Sequence, residues 1–129
     1  MKKYRFQIGD DGLARAWVAL RFGNKTVMSR GLIDTGANVV AVSSALALTL
    51  TLPKLGKERS GTAAGAAQVI RTVIDEVSVI SEDLSEVVLR RENIDALIMK
   101  LPVPIVLSGL FFKGRQLIFD YEKLEFRIE

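Results

Sequence analysis

The stretch GLIDTGANVV, residues 31–40, places one ionisable carboxylate inside an otherwise uncharged run. Leu32 and Ile33 lead into Asp34, and Thr35, Gly36, Ala37 and Asn38 separate it from Val39 and Val40. The apolar residues read as strand ends, so Asp34 is expected at the end of a buried strand. A buried carboxylate is costly unless it is hydrogen-bonded, paired or protonated. Two readings follow. Either a turn happens to begin with Asp, since Asp and Gly favour turns, or the carboxylate stands there for its chemistry.

Outward from this stretch the dominant pattern has period two, the mark of half-buried strands. Tyr4, Phe6 and Ile8 alternate with Arg5 and Gln7, and Asp10 to Gly12 reads as a turn. Ala14 to Phe22 alternates again, Gly23-Asn24 is a two-residue hairpin signal, and Lys25 to Ile33 returns as the next strand. Val39 to Val42 is a short strand. The run SSALALTLTLP, residues 43–53, stays open: its leucines alternate like a strand, yet Ser43 or Ser44 suits a helix cap and Pro53 a helix stop. Two strands meeting at Gly65 make a hairpin from the small residues of 61–67. A β-branched run follows, Val69 to Val79, then a charged connector holding one strand, Val87 to Arg90, and a separate short strand, Ala96 to Met99. Gln116 to Tyr121 and Lys123 to Ile128 close the chain. The expectation is one mainly β domain over residues 1–129, with one or two short helices.

Composition narrows the chemistry. The chain has 129 residues, 49% hydrophobic and 26% charged, which suits one globular domain. It contains no cysteine and no histidine. Disulfides, thiol catalysis, a Ser-His-Asp triad and imidazole or thiolate metal ligands are therefore excluded within the chain, and no metal or cofactor is expected. Hydrolysis would have to rest on carboxylates, lysine or tyrosine. The net charge of +3 is scattered, with no basic stripe interleaved with aromatics, so no nucleic-acid partner is expected. No apolar run approaches the roughly 20 residues of a membrane span, and no signal-peptide pattern follows the first lysines, so the expected location is cytoplasmic.

Asp34-Thr35-Gly36-Ala37 resembles the active-site signature of the aspartic proteases, and most closely the single-lobed retropepsin-like branch, of bacterial or retroviral type. The small-residue segment Thr62 to Ala66 lies where such proteins carry a flap. The segment IVLSGLFFKGRQLIFDYEKLEFRIE, residues 105–129, is similar to the family's hydrophobic-hydrophobic-Gly element, short helix and closing strands. Three departures stand out. Ser108 occupies the usual Gly position with the Gly displaced to Gly109, Val40 and Ala41 lack the hydroxyl that often braces the motif, and the flap has no aromatic.

The resemblance implies a closed β-barrel and peptide hydrolysis by two carboxyl groups sharing one proton. With one D-T-G per chain, the second Asp34 must come from a second copy, so a homodimer is implied. Asp34 would be catalytic. Thr35 and Gly36 would support the loop, Thr35 by bonding across the interface. Ala37, Asn38, Ala64, Gly65 and Ala66 would bind an extended peptide or protein substrate, with Thr62 to Gln68 mobile until ligand closes it. Strands Tyr4 to Ile8 and Leu124 to Ile128 would be exposed edges in a monomer and would interdigitate in the dimer. Trp17 reads as a surface or interface residue, Arg90-Arg91 as a solvated edge, and Asp75, Asp83, Asp95 and Asp120 as solvated or turn residues. Two other classes remain: a catalytically weak retropepsin-like dimerisation or peptide-binding module, and an unrelated β-barrel binding a small or anionic ligand.

Overall fold

In β2 (Arg15–Phe22) alternation produces a two-faced strand: Ala16, Val18 and Leu20 are fully buried, while Trp17, Ala19 and Arg21 are half-buried. The Trp17 ring lies 5.3 Å from the Arg30 guanidinium on the neighbouring strand, a cation–π contact on the barrel's outer face. Gly23 and Asn24 turn the chain, with Gly23 at φ +60°, and β3 (Lys25–Asp34) pairs back from Phe22↔Lys25 to Arg15↔Leu32. The structure, a computed structural model, describes residues 2–62 and 65–129, with side chains described outside 60–68.

After β4 (Val40–Ser43), the ambiguous leucine run is a helix, α1 (Ser44–Leu50). The Ser43 hydroxyl accepts the Leu46 N–H at 3.1 Å and caps it. Leu46 and Leu50, one helical turn apart, are buried, and Leu48 between them is 81% exposed. The period-two leucine pattern is thus a coincidence of composition. Thr51 ends the helix in the left-handed region, and its N–H reaches the Ala47 and Leu48 carbonyls.

The remaining elements are β5 (Gly56–Thr62), β6 (Gly65–Ile80), β7 (Val87–Met99), β8 (Ile105–Ser108), a one-turn 3-10 helix (Gly109–Phe112), β9 (Leu117–Asp120) and β10 (Glu125–Ile128). The large sheet runs β2-β3-β8-β4-β7-β6-β5, and a further β2–β6 pairing closes six of its strands into a barrel. The mainly β expectation and the closed retropepsin-like barrel are borne out. Val18, Val42, Ile74, Val77, Ile105 and Leu107 fill the interior with no exposed surface. Burial of such a side chain contributes about 1.5–3 kcal/mol. The ring leaves β5 outside, hung on the first half of β6 as an antiparallel ribbon.

Three local expectations are corrected. Val87 to Arg90 and Ala96 to Met99 are the two ends of one strand, β7, whose polar middle carries Asn93 at φ +52°. Arg90 faces outward and pairs with Glu76 at 3.4 Å, so polarity did not end the strand. The two strands do not meet at Gly65, which is paired opposite Thr62; Ala63 and Ala64 lie outside the described residues. The terminal strands also differ from expectation. β1 (Tyr4–Gln7) pairs antiparallel with β10 of the same chain, and β9 covers the other side of β10. β10 is therefore a central strand and not an exposed edge. Phe126 is fully buried, its ring centroid 4.8 Å from Phe6 and 5.7 Å from Phe119. This stacked row holds the terminal sheet together within one chain.

The open side of β1 is covered by the loop before β7. The Gln7 N–H donates to Glu82 Oε2 at 3.1 Å, and Lys2 pairs with Glu86. Asp83 shapes that loop by accepting the Ser85 and Ser81 hydroxyls at 2.6 and 2.7 Å and the Ser85 N–H at 3.1 Å. These bonds, the Ser85 hydroxyl first, hold its carboxyl down at about 2 against an ordinary 3.8.

Two outcomes follow. Phe126→Ala should lower the unfolding free energy by about 3–5 kcal/mol, whereas Tyr121→Ala, 62% exposed, should change it by under about 0.5 kcal/mol, both read by urea denaturation. Asp83 binds its proton more weakly folded than unfolded. Its stabilising contribution is present above pH 3.8 and is lost as pH falls through about 2. Asp83→Asn should flatten that acid slope, and a carboxyl resonance of Asp83 titrating near 4 in the folded protein would contradict the loop geometry.

Candidate active site

Two parallel strands position the motif. β3 and β8 run side by side from Gly31↔Ile105 to Asp34↔Ser108, so both end at the same level. Their close approach needs the glycine at 31: a Cβ there would fall 2.7 Å from Val18 Cγ2 and 3.1 Å from Ile105 Cγ2. β4 lies on the other side of β8, with Ala41↔Val106 and Val42↔Ile105. The loop from Asp34 to Val39 must therefore cross the end of β8. Ile33, Leu107 and Ser108 beneath it are buried.

The loop is a tight turn. The Ala37 N–H donates to the Asp34 carbonyl at 3.0 Å, and the Gly36 N–H donates to Asp34 Oδ1 at 3.0 Å. The Gly36 backbone lies outside the left-handed region. Its glycine instead leaves space, since a Cβ would sit 3.4 Å from Asp34 Oδ1. The carboxylate is thus oriented by its own loop. In the single chain Asp34, Thr35, Gly36 and Asn38 are exposed and Ala37 and Val39 are half-buried. This corrects the expected burial of Asp34: the strand sinks into the core up to Ile33, and the carboxylate emerges at its end.

The loop is supported from below by the 3-10 helix. A Cβ at Gly109 would lie 3.0 Å from the Thr35 carbonyl oxygen and 3.5 Å from Thr35 Cα. The glycine that the motif requires is therefore Gly109, while Ser108 completes the ladder opposite Asp34. What reads in sequence as a displaced glycine is the one in contact with the motif. Arg91 in turn holds the helix: its Nε donates to the Phe111 carbonyl at 3.0 Å and its Nη2 to that of Lys113. Phe111 and Phe112, edge to face at 5.3 Å, anchor the turn in the core. Arg91 is thus not a solvated edge, and nothing in its sequence neighbourhood distinguishes it from Arg90. Val40 and Ala41 are buried at 4% and 6%, so these positions brace the loop by packing alone.

The other acids fall into place. Asp75 accepts the Gly23 N–H at 2.7 Å, and Asp120 accepts the Glu122 and Lys123 N–H groups at 3.1 Å. Asp95 is exposed beside a cleft of about 300 Å³ lined by Val39, Leu55, Glu58, Arg71 and Thr72 among others. Sequence reading missed this cleft because its residues come from four separate segments. Of the expected substrate-binding residues, Ala37 and Asn38 share the motif loop. Gly65 and Ala66 begin β6 opposite Thr62 and Gly61, and Ala64 lies outside the described residues. No helix among the described residues is long and apolar enough to cross a membrane.

A carboxylate at the C-terminal end of a barrel strand, on a loop seated over the glycine that follows a second, parallel strand, makes an acid-protease type of site. The family model for aspartyl proteases matches residues 18–111, which span β2 through the 3-10 helix, and the chain belongs to that family. Among solved structures it is similar to a retropepsin-like aspartic protease from Rickettsia conorii, with a TM-score of 0.68 and 15% identity over 98% of this chain and 88% of that one. At that identity the likeness concerns the fold. No curated protein matches the chain.

Gly109→Ala should destabilise the protein by about 1–3 kcal/mol, since the Thr35 backbone must move to admit the methyl group. Gly36→Ala, facing only Asp34 Oδ1, should cost under about 1 kcal/mol. Thermal and urea unfolding of the two variants check the ranking; equal stability for both would remove Gly109 from the support of the motif.

Proposed function

We propose that the chain is a homodimeric aspartic endopeptidase in which two Asp34 carboxylates, one from each subunit, activate a water molecule. The observation that carries this is the placement of Asp34. It is the single D-T-G carboxylate in the chain, it is held by its own turn at the end of β3, and it faces outward. A rigid, exposed carboxylate at a barrel end can meet its symmetry mate. Two such groups cannot both ionise at a few ångströms, so one serves as base and the other as acid. The ionised carboxylate takes a proton from water, the oxygen attacks the peptide carbonyl, and the protonated partner donates to the departing amine. The two pKa values belong to the pair.

Thr35 then bonds across the two-fold axis and Gly36 keeps the carboxylate accessible. Ala37 and Asn38 line the floor beneath an extended peptide, and Ala64, Gly65 and Ala66 close over it. β10 is paired on both sides within the chain, so support for the contact comes from the motif loops and their surroundings. The second reading, a weak peptide-binding module on the same fold, is favoured by Val40 and Ala41, which offer the motif no side-chain hydroxyl.

A peptide-library digest separates the two. Wild type should cleave without added metal and unaffected by chelator, best at acidic to near-neutral pH. Asp34→Asn should lose roughly 10²–10⁴-fold in rate while unfolding as cooperatively as wild type. Cleavage by Asp34→Asn near the wild-type rate, or a rate climbing steadily past pH 9, would remove Asp34 from the mechanism.

A further inference from the structure

The described strands that are paired on one side only are β1, β5 and β9. Unpaired N–H and C=O groups invite another strand, and sheet edges are normally guarded by charged side chains or a covering segment. β5 carries Lys57, Glu58 and Arg59, and on the open side of β1 Glu82 accepts the Gln7 N–H. β9 reads Leu-Ile-Phe-Asp, and its one carboxylate, Asp120, is bound to the N–H groups of the following turn. Gln116 and Glu129 exchange both backbone bonds at 3.0 Å, so the N–H and C=O groups of Ile118 and Asp120 face β10. Those of Leu117 and Phe119 face away from it, and no strand or loop pairs with them among the described residues.

A second observation lies on a face of the same strand. Leu117, Phe119 and Tyr121 share one face, the one that holds Phe126 and Ile128. The Tyr121 ring stacks 6.2 Å from Phe119 and is 62% exposed. An aromatic cluster that is buried at Phe6 and Phe126 thus runs out into solvent at the open edge. The strand also follows soon after the 3-10 helix that supports the motif. There Gly109 meets Thr35, and Leu110 beside it is 71% exposed. The chain leads from the support of the motif into the unguarded edge.

We propose that the β9 edges of two copies pair antiparallel about a two-fold axis at Phe119, joining the two terminal sheets into one sheet across the dimer. The inference rests on the homodimer reading and names the strand that makes the dimer. A second copy is the occupant because an identical edge offers the same free groups in reverse order. The Phe119 N–H donates to the carbonyl of the partner's Phe119, and Leu117 exchanges bonds with the partner's Tyr121. Tyr121 then covers the partner's Leu117, and Asp120 stands opposite the partner's Ile118, so no like charges meet. A dimer has one two-fold axis, so pairing at β9 and the meeting of the two Asp34 loops are one event. The edge supplies affinity and the motif supplies chemistry. No termini are exchanged, since β1 and β10 stay paired within their own chain.

Cysteine cross-linking tests the register, and the chain has no cysteine of its own. Paired positions on the two edges would have Cα atoms about 5.5 Å apart, within disulfide reach. Leu117→Cys combined with Tyr121→Cys should give a covalent dimer under mild oxidation. Neither single variant should, because identical positions would lie about 13 Å apart along the strands. Tyr121→Lys, at a position 62% exposed, should fold like wild type. Sedimentation equilibrium should show its dimer weakened roughly tenfold or more, and its peptidase activity should fall at dilutions where wild type stays dimeric. A wild type that dimerises and cleaves, with no cross-link in the double variant and no change on Tyr121→Lys, would overturn the edge pairing and leave the protease reading standing. A cross-linked double variant beside a dimeric wild type that cleaves nothing would uphold the pairing and overturn the catalysis. A wild type that stays monomeric at every concentration would overturn both.

Discussion

The contact between the Gly109 backbone and the Thr35 carbonyl, with no room for a side chain between them, is the constraint on which the site depends. Two parallel strands, β3 and β8, end at one level, and the chain continues from each in a different direction: one over the end of β8 into β4, the other into a 3-10 turn. The two paths meet at Thr35 and Gly109. A methyl group there would lift the motif loop from its support, and the Asp34 carboxylate would lose the height and angle set by the Gly36 and Ala37 N–H groups. Arg91 extends the constraint to β7, because it ties the carbonyls at the end of the 3-10 turn to a barrel strand. The Asp34 carboxylate, on so short a loop, is thereby held by rigid elements rather than by its own flexibility.

The exposure of the motif follows from the same geometry. Packing up to Ile33 fills the barrel end, and Asp34, Thr35 and Gly36 beyond it face outward. A lone carboxylate is one group for two tasks, taking a proton from water and giving one to the leaving amine. A pair of them across a symmetry axis becomes an acid and a base at once. The proposed dimer is thus a chemical requirement before it is an architectural one. Within the chain the terminal strands are held by the Phe6–Phe126–Phe119 stack.

Most of the barrel was legible in the sequence because its strands alternate. The β2–β3 hairpin carries both the period and the Gly23-Asn24 signal, and the D-T-G stretch named the family. What stayed hidden was non-local. Local patterning could not choose between strand and helix for residues 43–53; only the burial of Leu46 and Leu50 against the barrel decides it. β7 reads as two fragments because its outward residues are charged, and charge on a solvent face says nothing about backbone continuity. Gly109 could be recognised as a glycine near the expected place. That it and not Ser108 supports Thr35 depends on the β3–β8 register, which is set by packing across 70 residues of intervening chain.

The shared site is tested most directly by subunit mixing. Wild type and Asp34→Asn are refolded together at fixed total concentration, and peptidase activity is followed against the fraction of wild-type chains. If each site needs an Asp34 from both subunits, activity falls as the square of that fraction, to about a quarter at equal amounts. A linear fall, with about half the activity left in the equal mixture, would mean that each chain works alone and would contradict the two-carboxylate site.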